Sequence, residues 1–346
     1  MRVFHVCSIY KPSNGIYFVL KNLGPKQREL GNEVKILNIY RNGYYDADIE
    51  YCEYEDFKHL ITSNPPDVVI FHGVFNKKII TFSSLLRKKR IPYLIELHGA
   101  LSRQNIKKSP IKKFIYTTLF LNYIIKKAKG IIYLNNNELL NSTITRRNSN
   151  SIIIPNGCEE VTEISEHKNK ILELLFIGRL DRDHKGLDIM IPAVKKAHSN
   201  GVKFHLSIYG RGYKDELDWL KKELKGYEGV IDFYGEVFGV KKQEAFLKAD
   251  VLLLTSRYEG FPITILEALA YGVPCIVTPS TNVADLISGN KCGWVTDLSV
   301  DAISSTIKKA AGYSRTEIIR MAENCILTAA DYNWEKIAKL SLDLYS

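Results

Sequence analysis

Short apolar runs alternate along this chain with longer amphipathic stretches. The runs are rich in valine, isoleucine and leucine on both faces, the pattern of strands covered by helices on two sides. In the first half they predict strands near Arg2 to Ile9, Val34 to Ile39, Asp67 to Phe71, Tyr93 to Leu97, Gly130 to Leu134 and Ser151 to Ile154. The alternation restarts at Leu172 to Ile177 and continues through the runs ending at Tyr209, Tyr234 and Thr255. Such alternation is the βαβ signature of a parallel sheet, and two sheets suit 346 residues at about one domain per 150. The reading is therefore α/β, with two doubly wound parallel-sheet domains over residues 1–157 and 158–330 and a last helix in 331–346. Residues 157–170 are polar and mostly acidic, as an interdomain linker would be.

Ligands of open α/β sheets gather at the carboxyl ends of strands, so the residues just after each run carry the chemistry. The densest stretch is Arg257 to Gly272. A strand over Val251 to Thr255 leads into a turn with Gly260, Pro262 suits the first helical position, and Gly272 suits a stop before Val273-Pro274. A helix starting there presents N–H groups near Gly260, Phe261, Pro262, Ile263 and Thr264, and such a terminus attracts anions, phosphate above all. Glu259 and Glu267 then bracket the anion and accept hydrogen bonds from hydroxyls on either side. A sugar nucleotide has that shape. The plainer alternative is two solvated glutamates on a surface helix.

Three other loops follow strands. Gly178-Arg179-Leu180 through Lys185-Gly186 puts a planar guanidinium and a mobile ammonium at one mouth, complementary ways to hold a diphosphate. Tyr209-Gly210-Arg211-Gly212 and Tyr234-Gly235-Glu236-Val237 each end a strand in glycine. In the first half, Gly15 follows Pro12-Ser13-Asn14 and lets backbone approach a ligand. His98-Gly99 ends the fourth strand and His72-Gly73 the third. A histidine there reads either as a satisfied structural residue or as part of a site.

Glu259 and Glu267, with seven residues between, resemble the E-x7-E motif of glycosyltransferase family 4, retaining enzymes of the GT-B fold. The Arg179 and Lys185 loop, the His98-Gly99 segment, the strand and turn Ile152 to Gly157 and the final Tyr332 to Leu340 helix are also similar to that family. The resemblance implies two Rossmann-like domains facing a cleft, with the donor in the second and the acceptor in the first. It implies that Arg179 and Lys185 bind the donor diphosphate, that Glu259 faces the donor sugar near His98, and that Glu267 holds the ribose. The amides of Gly260 to Ile263 would then face sugar and diphosphate, and Gly178, Gly210 and Val237 would line the nucleotide. Gly15 stands where family members commonly carry two adjacent glycines. The last helix would cross back to the first domain.

The implied reaction moves a hexose-type sugar, with retention, from a UDP-, GDP- or ADP-sugar to a saccharide or lipid-linked saccharide, as in bacterial surface polysaccharide or lipopolysaccharide assembly. No cofactor or metal is required where fixed cations meet the leaving diphosphate. The alternatives are a GT-B epimerase or phosphorylase, which hydrolysis of a sugar nucleotide without product transfer would mark, and a binding protein without turnover.

Charge adds one feature. Residues 1–157 carry 24 lysines and arginines against 11 acids, net +13, and residues 158–346 carry 24 against 27, net −3. No acid falls between Glu96 and Glu138, an interval holding Arg103, Lys107, Lys108, Lys112, Lys113, Lys126, Lys127 and Lys129 among aromatic and aliphatic residues. That suits an anionic membrane surface, and equally a core helix with solvated lysine ends. No nucleic-acid motif accompanies it. Six cysteines without C-x-x-C or metal spacing read as reduced core residues. The amino terminus is too short in its apolar run for a signal peptide, which suggests a cytoplasmic protein, peripheral to the inner membrane face at most.

Overall fold

The computed structural model describes residues 1–11, 15–99, 121–142, 150–167 and 171–345. Residues 12–14 of the first loop and the basic positions Arg103, Lys107, Lys108, Lys112 and Lys113 lie outside the described residues. The chain divides into two compact units, Met1–Gly157 with Trp334–Ser346, and Cys158–Asn333.

In the first unit the strands are β1 (Arg2–Cys7), β2 (Glu33–Asn38), β3 (Ile49–Tyr51), β4 (Val68–His72), β5 (Tyr93–Glu96), β6 (Gly130–Tyr133) and β7 (Ser151–Ile153). They pair in the order β3-β2-β1-β4-β5-β6-β7, and every described pair is parallel. All five residues of β4 are buried, because helices cover both faces of the sheet. One layer of core joins Phe4, Leu37, Phe57, Phe71, Phe82 and Tyr133. The helix Trp334–Tyr345 belongs to this unit. Its Ser341 accepts from Gln27, Lys129 donates to the Tyr345 carbonyl, and the Trp334 ring lies where a Cβ on Gly157 would be, 2.6 Å away.

The second unit repeats the plan with β8 (Leu172–Ile177), β9 (Phe204–Tyr209), β10 (Ile231–Phe233), β11 (Val251–Leu254), β12 (Cys275–Val277) and β13 (Gly293–Val295), in the order β10-β9-β8-β11-β12-β13. In each sheet the first strand has an early strand on one side and a later one on the other. The order therefore reverses beside β1 and beside β8, the positions where ligands bind in such sheets.

In the described part of residues 157–170, Glu159, Glu160, Glu163 and Glu166 are exposed, but two polar side chains are packed into the second unit. Buried Ser165 donates to the Ala249 carbonyl, and buried His167 bonds Asp250 and the Gly272 carbonyl. The short strands β3 and β13 were not predicted. All six cysteines are buried and unpaired. Among the described residues no helix is long and apolar enough to cross a membrane.

His205 on β9 bridges Glu173 on β8 at 2.8 Å and Asp232 on β10 at 3.0 Å. The hydrogen bond to Glu173, helped by Asp232, raises its pKa above 6.5 against the effect of burial. A pKa raised by folding stabilises fully below 6.5, and the contribution is lost as pH climbs through the folded value. His205→Gln should therefore lower stability at pH 6 by roughly 1 kcal/mol or less and cost nothing comparable at pH 9. Urea titrations at the two pH values check this, and an equal loss at both would refute the charged bridge.

Candidate functional site

The carboxyl ends of β8 and β11 are neighbours, and between them lie Arg179, Lys185 and Glu259. After β8 the chain turns through Gly178 into a short helix, Arg182–Lys185, capped by the Asp181 carboxylate accepting from the His184 amide at 2.9 Å. That helix stops at Gly186, whose φ of +67° begins the long helix Leu187–Ser199. A Cβ at Gly186 would sit 2.3 Å from the Thr255 carbonyl oxygen, so the two loops touch backbone to backbone only because no side chain intervenes.

The touch brings three side chains together. Lys185 Nζ donates to Glu259 Oε1 at 2.6 Å, and Ser256 Oγ donates to the same oxygen at 2.6 Å. Burial pushes the Glu259 carboxyl up, but the Lys185 charge, His184 and the two hydrogen bonds outweigh it and hold the pKa below the usual carboxylate value. Glu259 is an anion. Its backbone is held too, with its N–H on the Ser280 carbonyl and its carbonyl accepting from Asn282 Nδ2 at 2.7 Å.

His184, next to Lys185, has a definite task. Its Nε2 lies 2.8 Å from the Tyr258 carbonyl, an acceptor only, so Nε2 carries the proton and Nδ1 is a lone pair. Arg179 Nη2 donates to that Nδ1 at 2.7 Å. The imidazole also stacks on Tyr258 with centroids 4.1 Å apart. Burial lowers the His184 pKa, which keeps the ring neutral and able to accept. Arg179 is thereby aimed while its side chain stays 55% exposed, leaving donors for a ligand. Arg257 is committed elsewhere, forked onto both Asp188 oxygens at 2.7 Å.

The helix after β11 runs Ile263–Ala270, with Pro262 at the cap position, one residue before the expected place, and no side-chain cap. Its first amides thus keep their polarity for an anion, with Gly260 and buried Phe261 ahead of them. Glu267 lies in the second turn, and both of its oxygens accept from Lys242 Nζ, at 2.5 and 2.7 Å. Burial raises its pKa and Lys242 opposes the rise. Gly210 has a packing reason to be glycine, since a Cβ there would meet the Gly178 carbonyl oxygen at 1.9 Å, whereas a Cβ on Gly178 would only touch the Phe176 and Lys185 side chains at 3.4 Å or more. Val237 is buried, two residues after Gly235.

In the first unit, Gly15 opens the helix Gly15–Glu29 with open space where its Cβ would be. His98 sits at φ +49°, rare for a non-glycine residue, and its Nε2 lies 2.9 Å from His72 Nδ1. Both stand beside Glu96. Sequence reasoning named His98 and His72 separately; it missed Glu96, His5, Lys242, Ser256 and Asn282. His5, Lys242 and Asn282 act through partners distant in sequence; Ser256, three residues before Glu259, and Glu96, two before His98, had only the turn itself as a signal.

Residues 159–312 match the family described as glycosyl transferases group 1. An uncharacterized glycosyltransferase of Methanocaldococcus jannaschii is 31% identical over 178 residues, 50% of this chain and 44% of that protein. A lipopolysaccharide 1,6-galactosyltransferase of Escherichia coli is 27% identical over 234 residues, 65% of this chain and 57% of its own. The chain thus spans about half the length of these relatives. Among solved structures, Anabaena HepE in complex with UDP superposes with a TM-score of 0.79 at 16% identity, covering 99% of both chains. Both units have the parallel α/β form of GT-B glycosyltransferases.

Gly186→Ala must move the Thr255 carbonyl and adopt a left-handed backbone, whereas Gly201 has φ +80° but open space around its Cβ. Gly186→Ala should cost more than about 2 kcal/mol and Gly201→Ala only about 1 kcal/mol. Denaturant unfolding compares them. Equal losses would mean that the close approach of the loops is slack.

Proposed function

We propose, from the match of residues 159–312 to the glycosyl transferases group 1 family, that the chain is a retaining glycosyltransferase that takes a hexose-type sugar from a nucleotide-sugar donor. The single observation that carries the reading is the meeting of Arg179 and Lys185 with ionised Glu259 where β8 and β11 end, ahead of a helix terminus without a side-chain cap.

Transfer develops negative charge on the leaving diphosphate, and groups already aimed at it lower the barrier most. Lys185 has three N–H donors and gives one to Glu259, which leaves two for phosphate oxygens. Arg179, held by His184, adds a planar fork. The helix amides from Ile263 onward supply the positive end of a dipole. In this reading the cations and amides meet the diphosphate without a bridging metal. Glu259 keeps Lys185 in place and accepts from a sugar hydroxyl, and Glu267, anchored by Lys242, accepts from the ribose diol with its remaining lone pairs. Gly178, Gly210 and Val237 form the wall for the base, and Gly15 and His98 serve the acceptor side.

The acceptor we propose is a saccharide or lipid-linked saccharide of a bacterial surface polysaccharide, in keeping with the galactosyltransferase relative. The basic surplus of the first half suits a cytoplasmic enzyme working at an anionic membrane surface.

A thermal-shift screen with UDP, GDP, ADP and their sugars identifies the donor, because a ligand bound only by the folded state raises its stability. With that donor, Arg179→Ala and Lys185→Ala should each lower kcat/KM by about a hundredfold or more while remaining folded. Wild-type kcat/KM in both would remove the diphosphate assignment. Glu267→Gln replaces one acceptor by a donor and should weaken bare-nucleotide binding. Glu259→Gln should spare that binding and lower turnover, and the reverse pattern in calorimetry would exchange the two roles.

A further inference from the structure

The first unit holds a second cluster of groups, of which the proposed reaction uses only His98, on the acceptor side. His72 ends β4 and Glu96 ends β5, and the two residues are paired in register across the strands. His98 follows two residues later, turned back by its left-handed backbone. His72 Nδ1 is 2.9 Å from His98 Nε2 and 3.2 Å from Glu96 Oε2, and His98 Nε2 is 3.5 Å from Glu96 Oε1. We propose that His72, Glu96 and His98 bind one zinc ion through His72 Nδ1, the Glu96 carboxylate and His98 Nε2.

The spacings are the first reason. An ion about 2.0–2.1 Å from each of three tetrahedral ligands sets ligand-to-ligand edges of about 3.3 Å, a value inside the observed span. Two imidazoles and one carboxylate also form a known donor set for zinc with a fourth position open. The side chains of His72 and Glu96 are 0% and 6% exposed and that of His98 13%, which suits four ligands better than the three open positions of a six-coordinate ion.

The direction of the buried hydrogen bonds is the second reason. Ser341 Oγ donates to the Ala338 carbonyl, so its lone pairs accept from Gln27 Nε2 at 2.8 Å. Gln27 Oε1 must then accept from His5 Nε2 at 2.9 Å. His5 Nδ1, left without a proton, accepts from His72 Nε2 at 2.8 Å. A backbone carbonyl that can only accept thus sets every proton in the chain, and it leaves His72 Nδ1 a bare lone pair aimed at Glu96 and His98. A histidine that ligates a metal characteristically donates its other N–H to such a partner.

Charge is the third. Glu138 is buried beside this cluster, its two oxygens accepting from the Gly99 and Leu134 amides at 2.6 Å. Among the described residues neither Glu96 nor Glu138 meets a lysine or arginine. A dication among neutral imidazoles relieves that unfavourable burial of acids. The left-handed backbone of His98 is a strain of the kind that ligation sustains.

The test uses the full chain without a histidine tag, stripped with chelator and dialysed against zinc chloride. Elemental analysis should find one zinc per chain, with a dissociation constant of about a micromolar or tighter. Cobalt(II) in place of zinc should give the intense visible bands of a four-coordinate site and no thiolate charge-transfer band, which separates the cluster from the buried cysteines. Glu96→Gln and His98→Gln, checked for folding by circular dichroism, should each weaken zinc more than the ten- to hundredfold typical of losing an outer-shell partner, and Gln27→Leu by about that amount. Less than a tenth of an equivalent in the wild-type protein at ten times that free zinc overturns the site. So does a six-coordinate or thiolate cobalt spectrum, or zinc binding unchanged in both ligand variants. None of these outcomes bears on the donor site, which lies in the other unit.

Discussion

Lys185 and Glu259 meet at 2.6 Å although 74 residues separate them, and the second unit's site depends on that meeting. An ammonium and a carboxylate can share so sheltered a place only when each neutralises the other and the remaining polar atoms are bonded. Ser256 supplies such a bond to the same oxygen, and His184 stands 3.9 Å from the other without bonding it. The glycine at 186 is what allows the two loops near enough for the pair to form. Loss of the pair would leave either a buried anion or a wandering cation, and the carboxyl edges of β8 and β11 would no longer present one charged surface.

The two units use the same position in their sheets for different chemistry. In the second, the loops after β8 and β11 carry opposite charges and face solvent in part. In the first, the strand ends collect neutral imidazoles and an acid pushed toward its neutral form, nearly all of it buried. The shared cause is geometric. Parallel strands finish at one edge with no partner for their next residues, so side chains placed there point into a common space whatever their kind.

What could be read beforehand followed from local pattern. Runs such as Val68–Phe71 and Val251–Leu254 are apolar on both faces and followed by turn residues, which is enough to place a covered strand. Arg179, Lys185 and Glu259 were legible because each follows such a run. Their partners were not, since Lys242 for Glu267 and His5 for His72 are assigned by strand order and helix placement rather than spacing. The buried bonds of Ser165 and His167 were hidden for a related reason. A polar side chain bonded inside a protein and one bonded to water look the same in sequence, and only the fold decides between them.

The helix Trp334–Tyr345 completes the first unit, yet it follows all of the second in the chain. The second unit is in effect an insertion into the first. During synthesis the amino-terminal sheet emerges without the segment that supplies Ser341 and the Trp334 ring, and must wait for an entire neighbouring body to be made. The body translated later is therefore the one able to close first. For that interval the buried histidines and Gln27 stand at an unfinished wall, open to solvent, chaperones or ions until the last helix arrives.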